Sequence, residues 1–246
     1  MASHRLLSVL LVCTFFSLLP SSYPSASDGS DKVELTLYYE TLCPYCSYFI
    51  AYRLIRVFTD GLLPIVNLRL VPWGNAGIDP SGNFQCQHGP NECLMNTVEA
   101  CAINIYPDVR KHFPFIQCIE SLAYERREGE WQTCFAKASA DSGLIFDCCK
   151  RNGHQLELQY ADETARLNPP HAFVPWVLVN NQPLKEEYNN FLVYVCKAYK
   201  GSAVPKICGG GGSKFEANSS REVAAKTAIE VCYAAEQKNS TSFVHV

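Results

Sequence analysis

The chain has 246 residues, 48% of them apolar, and 21 Lys and Arg stand against 24 Asp and Glu for a formal charge of −3. That length admits one large domain or two small ones, and the composition describes an ordinary globule rather than a disordered or fibrous chain. A charge so near neutral calls for neither nucleic acid nor a membrane surface as partner.

The chain opens with Met1-Ala2-Ser3-His4-Arg5, an apolar run from Leu6 to Leu19, then Pro20 and small residues through Ser27. This is the layout of a secretory signal peptide over residues 1–27, with cleavage expected near Ala26 or Ser27 and no membrane attachment afterwards. A secretory route is oxidising, so disulfides persist there. Of the 13 cysteines, Cys13 leaves with the signal. Cys43 and Cys46 form a C-x-x-C pair. The ten others, Cys86, Cys93, Cys101, Cys118, Cys134, Cys148, Cys149, Cys196, Cys208 and Cys232, fit five bridges of unreadable connectivity. Adjacent Cys148 and Cys149 are expected to reach different partners.

Lys32 to Glu40 alternates and is rich in β-branched and aromatic residues, which predicts a strand. Thr41-Leu42-Cys43-Pro44-Tyr45-Cys46 then crosses into a helix carrying Phe49, Ile50, Tyr52, Leu54, Ile55, Val57 and Phe58, stopped at Asp60-Gly61. Pro44 suits the first helical turn, so Cys43 is expected at the helix N-terminus, where unpaired backbone N–H groups favour a thiolate. Cys46 lies one turn further in, placed to resolve a mixed disulfide formed on Cys43. No Lys, Arg or His flanks the pair in sequence. Backbone donors, or a distant group such as His171, are left to lower the Cys43 pKa.

A second strand is predicted over Ile65–Val71, completing a strand-helix-strand start. From about residue 73 to 169 the apolar spacing turns helical and cysteines concentrate. The predicted helices there are Asn91–Ile105, Asp108–Tyr124 with Pro114 as a kink or break, Gln132–Ala140, and Asp141–Arg166 interrupted near Gly153. Sheet character returns around Val174-Pro175 and Val177–Val179, with Asn180-Asn181 as a turn, Leu184 opening a short returning strand, and a closing helix from Glu186 to Tyr199. The X-Pro bond at Pro175 is one that can be cis.

This order resembles the thioredoxin-like oxidoreductases. The resemblance implies an α/β fold with a large helical, disulfide-rich insertion between the second and third strands, spanning residues 28–208. It also implies that Pro175 is a cis-proline facing the dithiol, with Val174 offering backbone groups to an extended substrate. The stretch Cys86-Gln87-His88-Gly89-Pro90-Asn91-Glu92-Cys93-Leu94-Met95-Asn96-Thr97-Val98-Glu99-Ala100-Cys101 is more specific. It resembles the C-Q-H-G-x-x-E-C-x-x-N-x-x-E-x-C signature of the gamma-interferon-inducible lysosomal thiol reductase family at every fixed position. Spacing alone suggests a scaffold role, with His88-Gly89 as a tight turn and no chemistry for His88, Asn96 or Glu99. Cys86, His88, Cys93 and Cys101 are residue types that bind zinc, but oxidation competes in a secreted chain, and neither metal nor cofactor is expected.

The tail, residues 209–246, starts with a glycine run and reads as flexible, with an Ala-rich helix expected over Arg221–Gln237. Asn218 and Asn239 head glycosylation sequons. The family resemblance implies that a C-terminal segment is trimmed in an acidic compartment, although a bridged Cys232 keeps a cut segment attached. The expected function is reduction of disulfides in protein or peptide substrates, with a small thiol as reductant, in a lysosome, a vacuole or the extracellular space. Rival readings are a glutaredoxin-like enzyme, an oxidase or isomerase on the same fold, and a non-catalytic disulfide-rich binding module. Gln182-Pro183-Leu184, where a glutathione site needs a glycine pair, counts against the first.

Overall fold

A computed structural model describes residues 32–209 and 231–234. The predicted signal peptide and both sequons, Asn218 and Asn239, lie outside the described residues. In chain order the elements are β1 (Val33–Tyr39), α1 (Pro44–Tyr48), a π-helical stretch Phe49–Leu54, α2 (Arg56–Thr59), β2 (Val66–Pro72), and a small hairpin of β3 (Gly77–Ile78) and β4 (Phe84–Gln85). The helices α3 (Pro90–Ile105), α4 (Val109–Tyr124), α5 (Thr133–Lys137), α6 (Ser142–Arg151) and α7 (Gly153–Ala165) follow. Then come β5 (Phe173–Val174), β6 (Trp176–Val179), β7 (Gln182–Pro183), α8 (Phe191–Ala198) and β8 (Cys232–Tyr233).

The main sheet runs β2-β1-β6-β7. β1 pairs parallel with β2 and antiparallel with β6, so it is central, and Leu35, Leu37 and Tyr39 are fully buried. Phe49 and Phe191 pack edge to face at 5.4 Å, pinning the dithiol helix and α8 to that core. Asn180 and Asn181 both adopt left-handed φ, 47° and 62°, as a two-residue hairpin requires. The returning strand begins at Gln182, two residues before the expected Leu184, whose N–H instead donates to Val177 O at 2.9 Å. This is the expected α/β, thioredoxin-like arrangement, with the helical, disulfide-rich block lying between the second and third strands of the main sheet.

Within that block the N-termini of α4 and α6 are capped by aspartates: Asp108 accepts from Arg110 N–H at 3.0 Å and Asp141 from Leu144 N–H at 3.1 Å. Pro114 sits inside α4 without breaking it. The bond Cys101–Cys148 joins α3 to α6, Cys118–Cys134 joins α4 to α5, Cys86–Cys93 closes the turn before α3, and Cys196–Cys208 anchors the chain after α8.

The bridging departs from expectation in one respect that decides the site. Eight of the ten cysteines outside the C-x-x-C pair bond among themselves, but the other two, Cys149 and Cys232, do not pair with each other. Cys232 bonds Cys43, leaving Cys46 and Cys149 as thiols. The expected helix over Arg221–Gln237 is also corrected for its described residues, because Cys232–Tyr233 is a strand.

Candidate functional site

After β1 the chain turns through Thr41 and Leu42 before α1 begins. Leu42 holds a left-handed φ of 65°, a conformation that costs a branched residue about 1 kcal/mol or more. Helix α3 fixes it there: Thr41 N–H donates to Asn96 Oδ1 at 2.9 Å and the Thr41 hydroxyl donates to Glu92 O at 3.1 Å. Cys43 is thereby set as the N-cap of α1, with Pro44 in the first turn. Asn96 is fully buried, so Asn96→Ala strands the Thr41 amide. Its expected cost is about 1–3 kcal/mol, read as a lower urea midpoint with unchanged slope.

Cys43 Sγ is bonded to Cys232, and the segment carrying Cys232 lies in the site as a strand. It pairs antiparallel with β5 in the register Phe173 to Tyr233 and Val174 to Cys232, and Ala234 N–H donates to Ala172 O at 3.0 Å. The Val174–Pro175 peptide is cis. On the other side of the strand, the Asn75 side-chain amide donates to Cys232 O at 3.0 Å and the Gln87 amide to Tyr233 O at 2.8 Å. Val231 is buried ahead of the bond, and Tyr233 is exposed beyond it. Main-chain groups are therefore gripped from both sides while the side chains diverge.

His88 Nε2 lies 3.9 Å from Cys232 Sγ. Its Nδ1 is 2.7 Å from Glu92 Oε2, which also accepts the His88 backbone N–H at 2.6 Å, and 3.6 Å from Glu40 Oε1. Gly74 makes room for Glu40, since a Cβ at Gly74 would meet the Glu40 carboxylate at 2.5 Å, and Asn75 N–H donates to Glu40 Oε2 at 2.7 Å.

The family model described as gamma interferon inducible lysosomal thiol reductase (GILT) matches residues 34–138. The gamma-interferon-responsive lysosomal thiol protein of Arabidopsis thaliana is 38% identical over 215 residues, covering 85% of this chain and 88% of that protein. The chain belongs to this family. The gamma-interferon-inducible lysosomal thiol reductase of Mus musculus is 35% identical over 189 residues, covering 75% of each. Oxidised BdbD from Bacillus subtilis shares the fold at a TM-score of 0.52 and 16% identity, over 71% of this chain and 90% of that one.

The GILT signature thus wraps the Cys43 corner. Cys86–Cys93 and Cys101–Cys148 use its cysteines as bridges, Asn96 and Glu92 hold the Thr41 turn, and Gln87 and His88 touch the Cys232 strand. Sequence spacing gave His88 only a turn; the structure puts its imidazole against sulfur. Asn75 was missed and Gln87 was noted only as a position of the signature; nothing in the local pattern marks two amides 12 residues apart as partners, although Asn75 Nδ2 donates to Gln87 Oε1 at 2.9 Å. His171, the imidazole named from sequence, has its Nε2 buried without a hydrogen-bond partner, and burial pushes its pKa down.

Cys46 is fully buried. Burial pushes its thiol well above the usual range, the charges of Glu40, Glu120 and Glu92 add to the rise, and a backbone hydrogen bond from Glu40 opposes it. Four buried carboxyls in this part of the fold are Glu40 and Glu120, which act on Cys46, and Glu99 and Glu157. Tyr39 OH donates to Glu99 at 2.5 Å and Ser47 OH to Glu120 at 2.5 Å. Burial raises all four: Glu40 to about 7, Glu120 to about 8 against the Ser47 hydrogen bond, and Glu99 and Glu157 well above the ordinary value of 4.5.

Each of these groups holds a proton in the fold at pH values where the unfolded chain has lost it. Their contribution is full below about 4.5 and is lost as pH rises through about 7 and 8. His112 and His171, lowered by burial, oppose this below about 6.5. The melting temperature is expected to be roughly 5–10 °C higher at pH 5.5 than at pH 8 by calorimetry. A melting temperature that rose with pH would contradict the neutral carboxyls.

Proposed function

We propose that this GILT-family chain reduces disulfides in extended protein or peptide segments, with Cys43 as nucleophile, Cys46 as resolving thiol, and Val174 and Pro175 lining the substrate strand. The observation that carries this is the Cys43–Cys232 bond on a strand paired to β5. The chain's own tail stands where a substrate cysteine would, joined to Cys43 as a mixed disulfide beside the free Cys46 thiol. The GILT relatives are named thiol reductases, which agrees with this chemistry.

In each cycle the Cys43 thiolate attacks a substrate disulfide, one substrate sulfur leaves, and the other bonds Cys43. Cys46 then attacks Cys43 Sγ, a Cys43–Cys46 disulfide forms, and the second substrate sulfur leaves. Two electrons pass from the dithiol to the substrate, and a small thiol restores the enzyme. Burial raises the Cys46 thiol pKa, which slows resolution of a disulfide on Cys43.

Recognition is by main chain, through β5, Asn75 and Gln87, so substrates need an extended segment more than a sequence. The buried Val231 position favours an apolar residue before the cysteine. An acidic compartment of the secretory route, a lysosome or vacuole, agrees with the N-terminal leader, the sequons at Asn218 and Asn239, and carboxyls that favour acid pH. Residues 209–246 are a tail whose removal needs reduction as well as cutting, since any cut in 210–230 leaves Cys232 on Cys43. Among the described residues no helix is long and apolar enough to cross a membrane.

The test is reduction of a disulfide-linked protein such as insulin at pH 5 and pH 7, with a small thiol present. Turnover above that of the thiol alone is expected at both; a rate equal to the thiol alone at both sinks the reading.

A further inference from the structure

Resting on the reading of Cys232 as a stand-in for substrate, we propose that His88 is a catalytic residue, the acid that protonates the substrate sulfur as it leaves Cys43. The geometry is specific. Nδ1 is committed to Glu92 at 2.7 Å, so the ring atom turned to the disulfide is Nε2, 3.9 Å from the substrate-side sulfur. Glu92 Oε2 also accepts the His88 backbone N–H, and an imidazole whose Nδ1–H donates to such a carboxylate presents a proton at Nε2 only as imidazolium.

The groups packed around it favour that form. Glu92 comes from α3, Glu40 from the end of β1, and the Cys43–Cys232 sulfurs from α1 and β8; Asn75 and Gln87 are neutral. The Glu92 hydrogen bond, and then the Glu92 charge, hold the imidazole above its ordinary range against partial burial, and Glu40 adds to this once it ionises. The side chain is 30% exposed, so it exchanges protons with water.

The step balances. Cys46 gives up its thiol proton to water and bonds Cys43, the Cys43–substrate bond breaks, the substrate sulfur takes the proton from His88, and His88 regains one from water, so no net proton is gained or lost. Without that acid, the sulfur departs as a bare thiolate, and the rate then depends on how stable that thiolate is. An alkyl thiolate is a poor leaving group, whereas an aromatic thiolate needs no help.

The experiment compares His88→Gln with the parent, both as full chains reduced beforehand, in single-turnover reduction of an alkyl disulfide peptide and of an aromatic disulfide releasing thionitrobenzoate at pH 5.5. The expected result is a loss of about 100-fold on the alkyl substrate with the aromatic rate within about threefold of the parent. Equal slowing of both substrates, as a damaged scaffold would give, overturns the inference, and so does no slowing of either. A parent that reduces neither substrate overturns the thiol reductase reading and this inference together, a result distinguishable from His88→Gln behaving as the parent does.

Discussion

Cys43→Ser is expected to lose at least about 10³-fold in disulfide reductase turnover, because it removes the only group that bonds substrate. Cys46→Ser is expected to lose turnover too, but differently. Its Cys43 still attacks, and the resulting mixed disulfide has lost its resolving thiol, leaving only the tethered Cys232 to compete for Cys43, so with the peptide in excess a covalent enzyme–substrate complex accumulates on non-reducing gels. The asymmetry follows from placement. Cys43 sits at the start of α1 facing the β5 groove, whereas Cys46 is fully buried one turn behind it among raised carboxyls. If both variants trapped substrate, or neither did, the two sulfurs would not have the roles assigned here.

Cys232→Ser is expected to raise turnover by about tenfold or more when the small thiol is limiting, and to change it by no more than about twofold when the small thiol is in excess. In the parent, the tethered Cys232 thiol attacks Cys43 in the mixed disulfide at an effective concentration in the millimolar range, expels the substrate sulfur and closes the Cys43–Cys232 bond, which the small thiol must open before the next cycle. Pairing of Cys232 and Tyr233 with the β5 edge and with the Asn75 and Gln87 amides holds that bond in place. Removing the sulfur alone leaves the strand residues in place, so the gain isolates the disulfide's share. Unchanged turnover at limiting thiol would mean that the tail leaves the groove once reduced and does not return.

The sequence made the sheet and its turns legible because each rests on local chemistry. Alternation in Val33–Tyr39, the paired asparagines at 180 and 181, and the aspartate caps at 108 and 141 all act within a few residues. The C-x-x-C pair and Val174-Pro175 were legible for the same reason. The path of the tail was not. An Ala-rich stretch has helical propensity of its own, but at Cys232 that is outweighed by a covalent bond across 189 residues and by pairing with β5. The approach of His88 to sulfur was not legible because Cys232 arrives from the far end of the chain. Asn75, Gln87 and the buried carboxyls likewise meet only through folding.

The measurement that bears most directly on the account is mass-spectrometric mapping of the complex formed between Cys46→Ser and a disulfide peptide. The account predicts the peptide's sulfur on Cys43, with Cys232 released as an alkylatable thiol. A peptide attached to Cys149, or a Cys43–Cys232 bond left intact in a chain that has captured substrate, would contradict it.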